Sequence, residues 1–187
     1  MKSRPRLLII PAVIICSACL VILSIKVNSG FAQQVNPFNS GIASEHNNQS
    51  QALNSEFPGN IQKWKEMIEA SASENGLDPN LIAAVMLQES GGDAQALSVS
   101  GAVGLMQIMP KDGIAASIIC GNHPCFINRP TSKELYDPFF NIRYGSNYLA
   151  DLIELKGSER EALFSYGPID MGYHYADTVL AIYQEYR

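Results

Sequence analysis

Glu89 is the residue of this sequence best placed to do acid–base chemistry. Ile82, Val85, Met86 and Glu89 fall at i, i+3, i+4 and i+7, so on a helix they share one face. A carboxyl group is thereby set on an apolar stripe, in the last turn before Gly91-Gly92. Two effects resist its ionisation there: burial disfavours the charged form, and a helix C-terminus carries partial negative charge. A carboxyl that stays protonated near neutral pH can act as a general acid. Taken alone, a glutamate so placed more often snorkels to solvent or pairs with a base, so the surroundings must decide.

Those surroundings are neutral. Ser98, Gln107, Tyr166, Tyr173 and Tyr175 offer hydrogen bonds and aromatic planes, a combination suited to sugar rings, although most of the tyrosines are expected to serve core or surface. Asp93 is the nearest second acid, and a loop acid beside glycines is expected to be solvated. The sequence has no G-x-S-x-G, no H-E-x-x-H and no phosphate-cradling glycine loop, and His46, His123 and His174 are scattered. Cys120 and Cys125 bracket a Gly/Asn/Pro turn and read as a local disulfide. A metal pair using His123 is the alternative, but too few ligands lie nearby, so no metal and no cofactor are expected.

The elements that must position these residues are helical. Ile61, Trp64, Ile68 and Ala72 predict a first helix ended by Gly76, with Trp64 assigned to the core. Asp78-Pro79 supplies an N-cap and a first-turn proline for the Glu89 helix, and Gly91-Gly92 its exit. The chain is then punctuated by glycine through Gly101 and Gly104, with a further helical turn expected between Ile114 and Ile119. Thr131-x-x-Glu134 is a capping box, and Asp137-Pro138 starts a helix carrying Ile142, Gly145, Leu149 and Leu152 to a stop at Gly157. Gly145 in mid-helix implies a close approach by a neighbouring segment. Ser158-x-x-Glu161 opens another helix through Tyr166, and Tyr175, Val179, Ile182 and Tyr186 mark a last one. There is no convincing period-2 run and no repeat, so the domain is mainly α.

Composition adds a location and excludes a partner. The chain of 187 residues has a net charge of -5, but four bases and no acid precede residue 33, leaving nine bases against 18 acids beyond it. An acidic domain of this kind excludes nucleic acid as the expected partner. Lys2, Arg4 and Arg6 precede an uncharged run from Leu7 to Ile25, long enough to span a bilayer with the basic flank inside. Residues 1–32 are therefore read as a signal or membrane-anchor segment, with an uncleaved anchor preferred, and the rest as exported. Residues 33–59, rich in Asn, Gln, Ser, Gly and Pro, read as a flexible linker reaching on the order of 30 Å. Residues 60–187 form the folded domain.

The block from Glu89 to Pro110 resembles a known family. Glu89-Ser90-Gly91, Ser98, and Gly101-Ala102-Val103-Gly104-Leu105-Met106-Gln107-Ile108-Met109-Pro110 are similar, without a gap, to the signature of the soluble lytic transglycosylases, relatives of goose-type lysozyme. Asp137-Pro138, Asn141-Ile142-x-x-Gly145 and Tyr148-Leu149 resemble the family's second block, and Tyr175 with Val179-Leu180 its closing helix. The third block departs: the family's Ala-Tyr-Asn-Ala-Gly is here Ser165-Tyr166-Gly167-Pro168, without the asparagine. The resemblance covers residues 60–187 and implies a lysozyme-like domain. It implies Glu89 as the single acid/base, Ser98, Gln107 and Met109 lining the cleft, and Tyr166 near Glu89 holding the acid or the substrate. The implied substrate is the β-1,4 bond between N-acetylmuramic acid and N-acetylglucosamine in peptidoglycan strands, closed to a 1,6-anhydro end. Two alternatives stand beside it: lysozyme-type hydrolysis of the same bond, and a glycan-binding module whose activity has decayed.

Overall fold

The cap signals in the sequence fall where helices begin and end. The computed structural model describes residues 52–187. The apolar Leu7–Ile25 segment and the tether up to residue 51 lie outside the described residues, and among those described no helix is long and apolar enough to cross a membrane. The helices are α1 (Gly59–Gln62), α2 (Lys65–Asn75), α3 (Pro79–Ser90), α4 (Ser132–Leu135), α5 (Pro138–Lys156), α6 (Glu159–Tyr166) and α7 (Tyr173–Tyr186). Two 3₁₀ turns, Gly113–Ser117 and Ile169–Met171, and a two-stranded hairpin, β1 (Ile119–Cys120) and β2 (His123–Pro124), complete the described domain.

Helix α3 is the axis of the bundle. The Asp78 side chain accepts from the Asn80 amide, Pro79 occupies the first turn, and Gly91 closes the helix in the left-handed region at φ 58°. Every residue from Leu81 to Met86 is buried, because α2 and α7 both pack on α3. Helix α5 packs on α2 and α6, and α6 on α7, so α3, α2, α5, α6 and α7 follow one another in a closed ring. Its core includes Ile61, Ile68, Leu105, Met106, Ile142, Leu149, Leu163 and Val179.

Two expectations change. The helix expected from Ile61 to Gly76 is broken at Lys63-Trp64 into α1 and α2, where the Trp64 indole N–H donates to the Gly92 carbonyl at 3.0 Å. Trp64 is half-buried at the edge of the core. In addition, Leu53 and Phe57, assigned by composition to the linker, are buried with 4% and 2% of their surface exposed. Phe57 stacks on Tyr186 of α7 at 4.1 Å between centroids, and Asn54 donates from its amide side chain to the Tyr186 carbonyl. An averaged polar composition hides two apolar anchors among polar neighbours.

Candidate active site

The segment between α3 and the hairpin is held in place by backbone capture. Two isolated bridges, Leu97 to Val103 and Val103 to Ile108, fold it back on itself. Asn141 of α5, fully buried, accepts from the Met106 amide at 2.7 Å and donates to the carbonyls of Val103 at 2.9 Å and Leu135 at 2.8 Å. One side chain thereby satisfies the Met106 amide and the Leu135 carbonyl and gives a second donor to the Val103 carbonyl, which also accepts from the Ile108 amide at 3.1 Å. Gly104 and Gly145 are required by the same approach: a Cβ on Gly104 would lie 2.4 Å from the Asn141 amide nitrogen, and one on Gly145 2.6 Å from the Met106 Cβ. The mid-helix glycine of α5 is thus explained by the loop it receives. Ser90 ties the end of α3 to that loop by donating to the Leu105 carbonyl at 2.8 Å.

This folding opens a cavity of about 680 Å³ whose wall includes Glu89, Ser98, Gln107, Met109 and Tyr166. The five residues singled out from the sequence therefore meet in one place, drawn from α3, the 98–109 loop and α6. Ser98 Oγ accepts from the Ala102 amide at 2.9 Å, which leaves its own proton free to donate. Gln107 is the one non-glycine residue with positive φ among those described, at 46°. Its amide nitrogen donates to the carbonyls of Gly104 at 2.9 Å and Ala96 at 3.3 Å, so the donor side of this residue braces the loop. Its carbonyl oxygen has no protein donor among the described residues and remains to accept. Asp93 lies outside the cavity wall, exposed, and accepts from the Gln95 amide in its own turn. Cys120 and Cys125 are joined as a disulfide across the hairpin.

Glu89 is half-buried, and its acidity is set by its burial. Desolvation pushes its pKa up from the ordinary 4.5 to about 7, while a hydrogen bond from Tyr175 opposes the rise. The Tyr175 hydroxyl donates to Glu89 Oε1; Oε2 meets no protein donor among the described residues. Tyr175 itself is buried, and burial first, then the nearby Glu89, hold its phenol well above the usual tyrosine range. Tyr166 is the other tyrosine beside the acid, but its hydroxyl donates to the Met106 carbonyl at 2.9 Å. The hydrogen bond to the acid therefore comes from α7, a pairing that sequence reasoning missed. A tyrosine on the apolar stripe of a helix was the available signal, since a buried phenol needs a polar partner.

The departure at Gly167 acquires a physical meaning. A Cβ at this position would lie 2.3 Å from the Tyr175 ring, so with Tyr175 where it is, no side chain fits at 167. The chain leaves α6 at Gly167 with φ −72° and ψ 177°, ordinary extended backbone, so close approach and not conformation demands the glycine.

A profile of the transglycosylase SLT domain matches residues 66–170, more than half of the chain. The chain belongs to the transglycosylase SLT domain family. It is 35% identical over 92 residues to the membrane-bound lytic murein transglycosylase E of Buchnera aphidicola subsp. Acyrthosiphon pisum, covering 49% of this chain and 40% of that one. It is 34% identical over 116 residues to the endo-type membrane-bound lytic murein transglycosylase A of Klebsiella pneumoniae strain 342, covering 62% and 56%. The chain thus spans about half the length of the curated relatives it matches. Among solved structures, an inactive mutant of the lytic transglycosylase Slt from Pseudomonas aeruginosa aligns with a TM-score of 0.54 at 24% identity. That alignment covers 70% of this chain and 24% of that one, and at this identity it speaks for the fold alone. The SLT fold is the lysozyme-like, mainly helical one expected.

Proposed function

We propose that this SLT protein is a peptidoglycan lytic transglycosylase in which Glu89 is the single acid/base. The observation that carries the reading is a half-buried carboxyl with a pKa near 7, facing a cavity of glycan size lined by neutral hydrogen-bonding groups. The named activities of the murein transglycosylases of Buchnera and Klebsiella support the substrate class.

In this reading Glu89 first protonates the glycosidic oxygen between N-acetylmuramic acid and N-acetylglucosamine. The N-acetyl group of the substrate stabilises the oxocarbenium-like state, as in substrate-assisted glycosidases. Glu89, now ionised, takes the proton of the muramic C6 hydroxyl as that oxygen closes on C1. An intramolecular nucleophile has a high effective concentration, so no second carboxylate is needed to position water. Ser98, Gln107 and Met109 line the glycan cleft, with Ser98 donating and the Gln107 carbonyl accepting. Tyr166 and Tyr175 hold the loop and the acid, and the Tyr175 hydroxyl supports the ionised form of Glu89 between the two proton transfers. Residues 1–32 would anchor the enzyme outside the cytoplasmic membrane, with 33–51 as the tether.

The test is product analysis after incubating the full chain with purified peptidoglycan. Muropeptides ending in 1,6-anhydromuramic acid are expected, one water lighter than hydrolytic products, and Glu89→Gln should lower their release at least about a thousandfold. Reducing-end products would replace the transglycosylase reading with the hydrolase one. Turnover unchanged in Glu89→Gln would overturn the role of Glu89.

A further inference from the structure

The cavity has one wall that the acid/base reading does not use. The hairpin closed by Cys120–Cys125 and the turn after it deliver Ile118, Phe126 and Arg129 to the same cavity as Glu89. The turn is built by the Arg129 amide donating to the Phe126 carbonyl at 2.9 Å, and its end is fastened by the Lys111 amide donating to Pro130 at 2.9 Å. Arg129 is the sole basic residue of the cavity wall, in a domain otherwise rich in acids.

The arginine is placed but not paired. Its guanidinium lies over the Tyr148 ring at 4.0 Å from the centroid, and Tyr148 in turn packs on Tyr166 at 5.4 Å. Its side chain makes no hydrogen bond and no ion pair with any described residue, and Asp170, the other charged residue of the wall besides Glu89, is not in ion-pair range of it. A guanidinium stacked by one face keeps its in-plane N–H donors available, and their fork matches a carboxylate. A half-buried, stacked cation without a protein anion beside a glycan cleft calls for an anion on the ligand.

We propose that Arg129 is a specificity residue that binds a carboxylate carried on the muramic acid substituent of the glycan strand. The inference rests on the glycan reading of the cavity given above. Two sources share this chemistry: the lactyl carboxylate of a bare muramic acid, and the free carboxylates of a peptide stem attached there. Arg129 does not act through the acid, because the shift of Glu89 comes from its burial and from Tyr175 alone.

The experiment measures binding to the full-length Glu89→Gln protein, with and without Arg129→Gln, so that no turnover intervenes. Three tetrasaccharides serve as ligands: chitotetraose with no carboxylate, a stem-free muramic tetrasaccharide, and the same tetrasaccharide with its peptide stems. Arg129→Gln should weaken binding of a carboxylate-bearing ligand about tenfold or more, as loss of a charge-assisted hydrogen bond does, and leave chitotetraose unchanged. Because the stem is joined through an amide of the lactyl carboxyl, loss on the stem-free ligand alone identifies the lactyl carboxylate, and loss on the stem-bearing one alone identifies the stem carboxylates. Loss on both shows that Arg129 takes either carboxylate. Equal loss on all three, or loss on none, overturns the proposal. Arg129→Lys should recover only part of the loss, since an ammonium lacks the fork. The pH profile of product release by the Arg129→Gln enzyme should keep its alkaline midpoint; a wild type that binds these ligands but releases no anhydro product defeats the catalytic reading and leaves this one standing.

Discussion

At Glu89 two influences oppose each other, and their balance can be measured. Burial raises the pKa to about 7 and the Tyr175 hydroxyl, which bonds the ionised form, restrains it. In the proposed mechanism the proton-donating step needs the neutral acid, so kcat/KM should fall as pH rises through about 7. Tyr175→Phe removes the restraint, and the alkaline limb of the profile should move to higher pH; an unmoved limb would separate Tyr175 from the titration of Glu89. The same shift has a stability consequence of definite sign. Between 4.5 and about 7 the folded state holds a proton that the unfolded chain has released, so stability falls as pH rises through that window and the cost is complete above it. Glu89→Gln does not titrate there, so urea unfolding should show it gaining on the wild type from pH 4 to pH 8, by up to about 3 kcal/mol. That a carboxyl sits on the apolar face of α3 was legible from four spaced residues and a glycine pair, whereas its candidacy as an acid rested on the motif that follows it. Its partner was not, because Tyr175 and Glu89 are 86 positions apart and no local spacing joins them.

The elements are joined by a few side chains that read backbone. Asn141 is the clearest: truncation to Ala leaves the Met106 amide and the Leu135 carbonyl unpaired inside the core and strips the Val103 carbonyl of one of its two donors. Asn141→Ala should cost about 2–4 kcal/mol in denaturant unfolding and lower activity beyond what its stability explains, since Gln107, next to the Met106 amide that Asn141 holds, lines the cavity. Gly167→Ala works at a second junction. Its methyl must displace the Tyr175 ring, so the alkaline limb should rise as it does in Tyr175→Phe, with α6 itself intact by circular dichroism. Caps and glycine stops announced α3, α5 and α6 because they act within one turn of chain. The break between α1 and α2 was hidden, since the Trp64 indole finds its acceptor at Gly92, 28 residues away. The hairpin was hidden too, its strands being only two residues each.

Across the whole molecule the site gathers α3, the 98–109 loop, the disulfide turn and the end of α6 around a core that begins at Leu53. Replacing Cys120 and Cys125 by serine opens a loop of only a few residues, so global stability should drop by no more than about 2 kcal/mol, read as a small Tm shift. Glycan affinity should suffer more than Tm, because that loop carries a wall of the cavity. The helical class and the position of the acid were readable from pattern, whereas the assembly of the wall depends on contacts that only the folded chain makes. Gly167 and Tyr175 show where this leads when sequences drift. Any side chain gained at 167 while the ring is in place meets a barrier, whereas a smaller residue at 175 removes the barrier but takes the hydroxyl from Glu89. The two positions are therefore epistatic: the effect of changing both should differ from the sum of the single changes, and the order in which they mutate decides which intermediates retain a working acid.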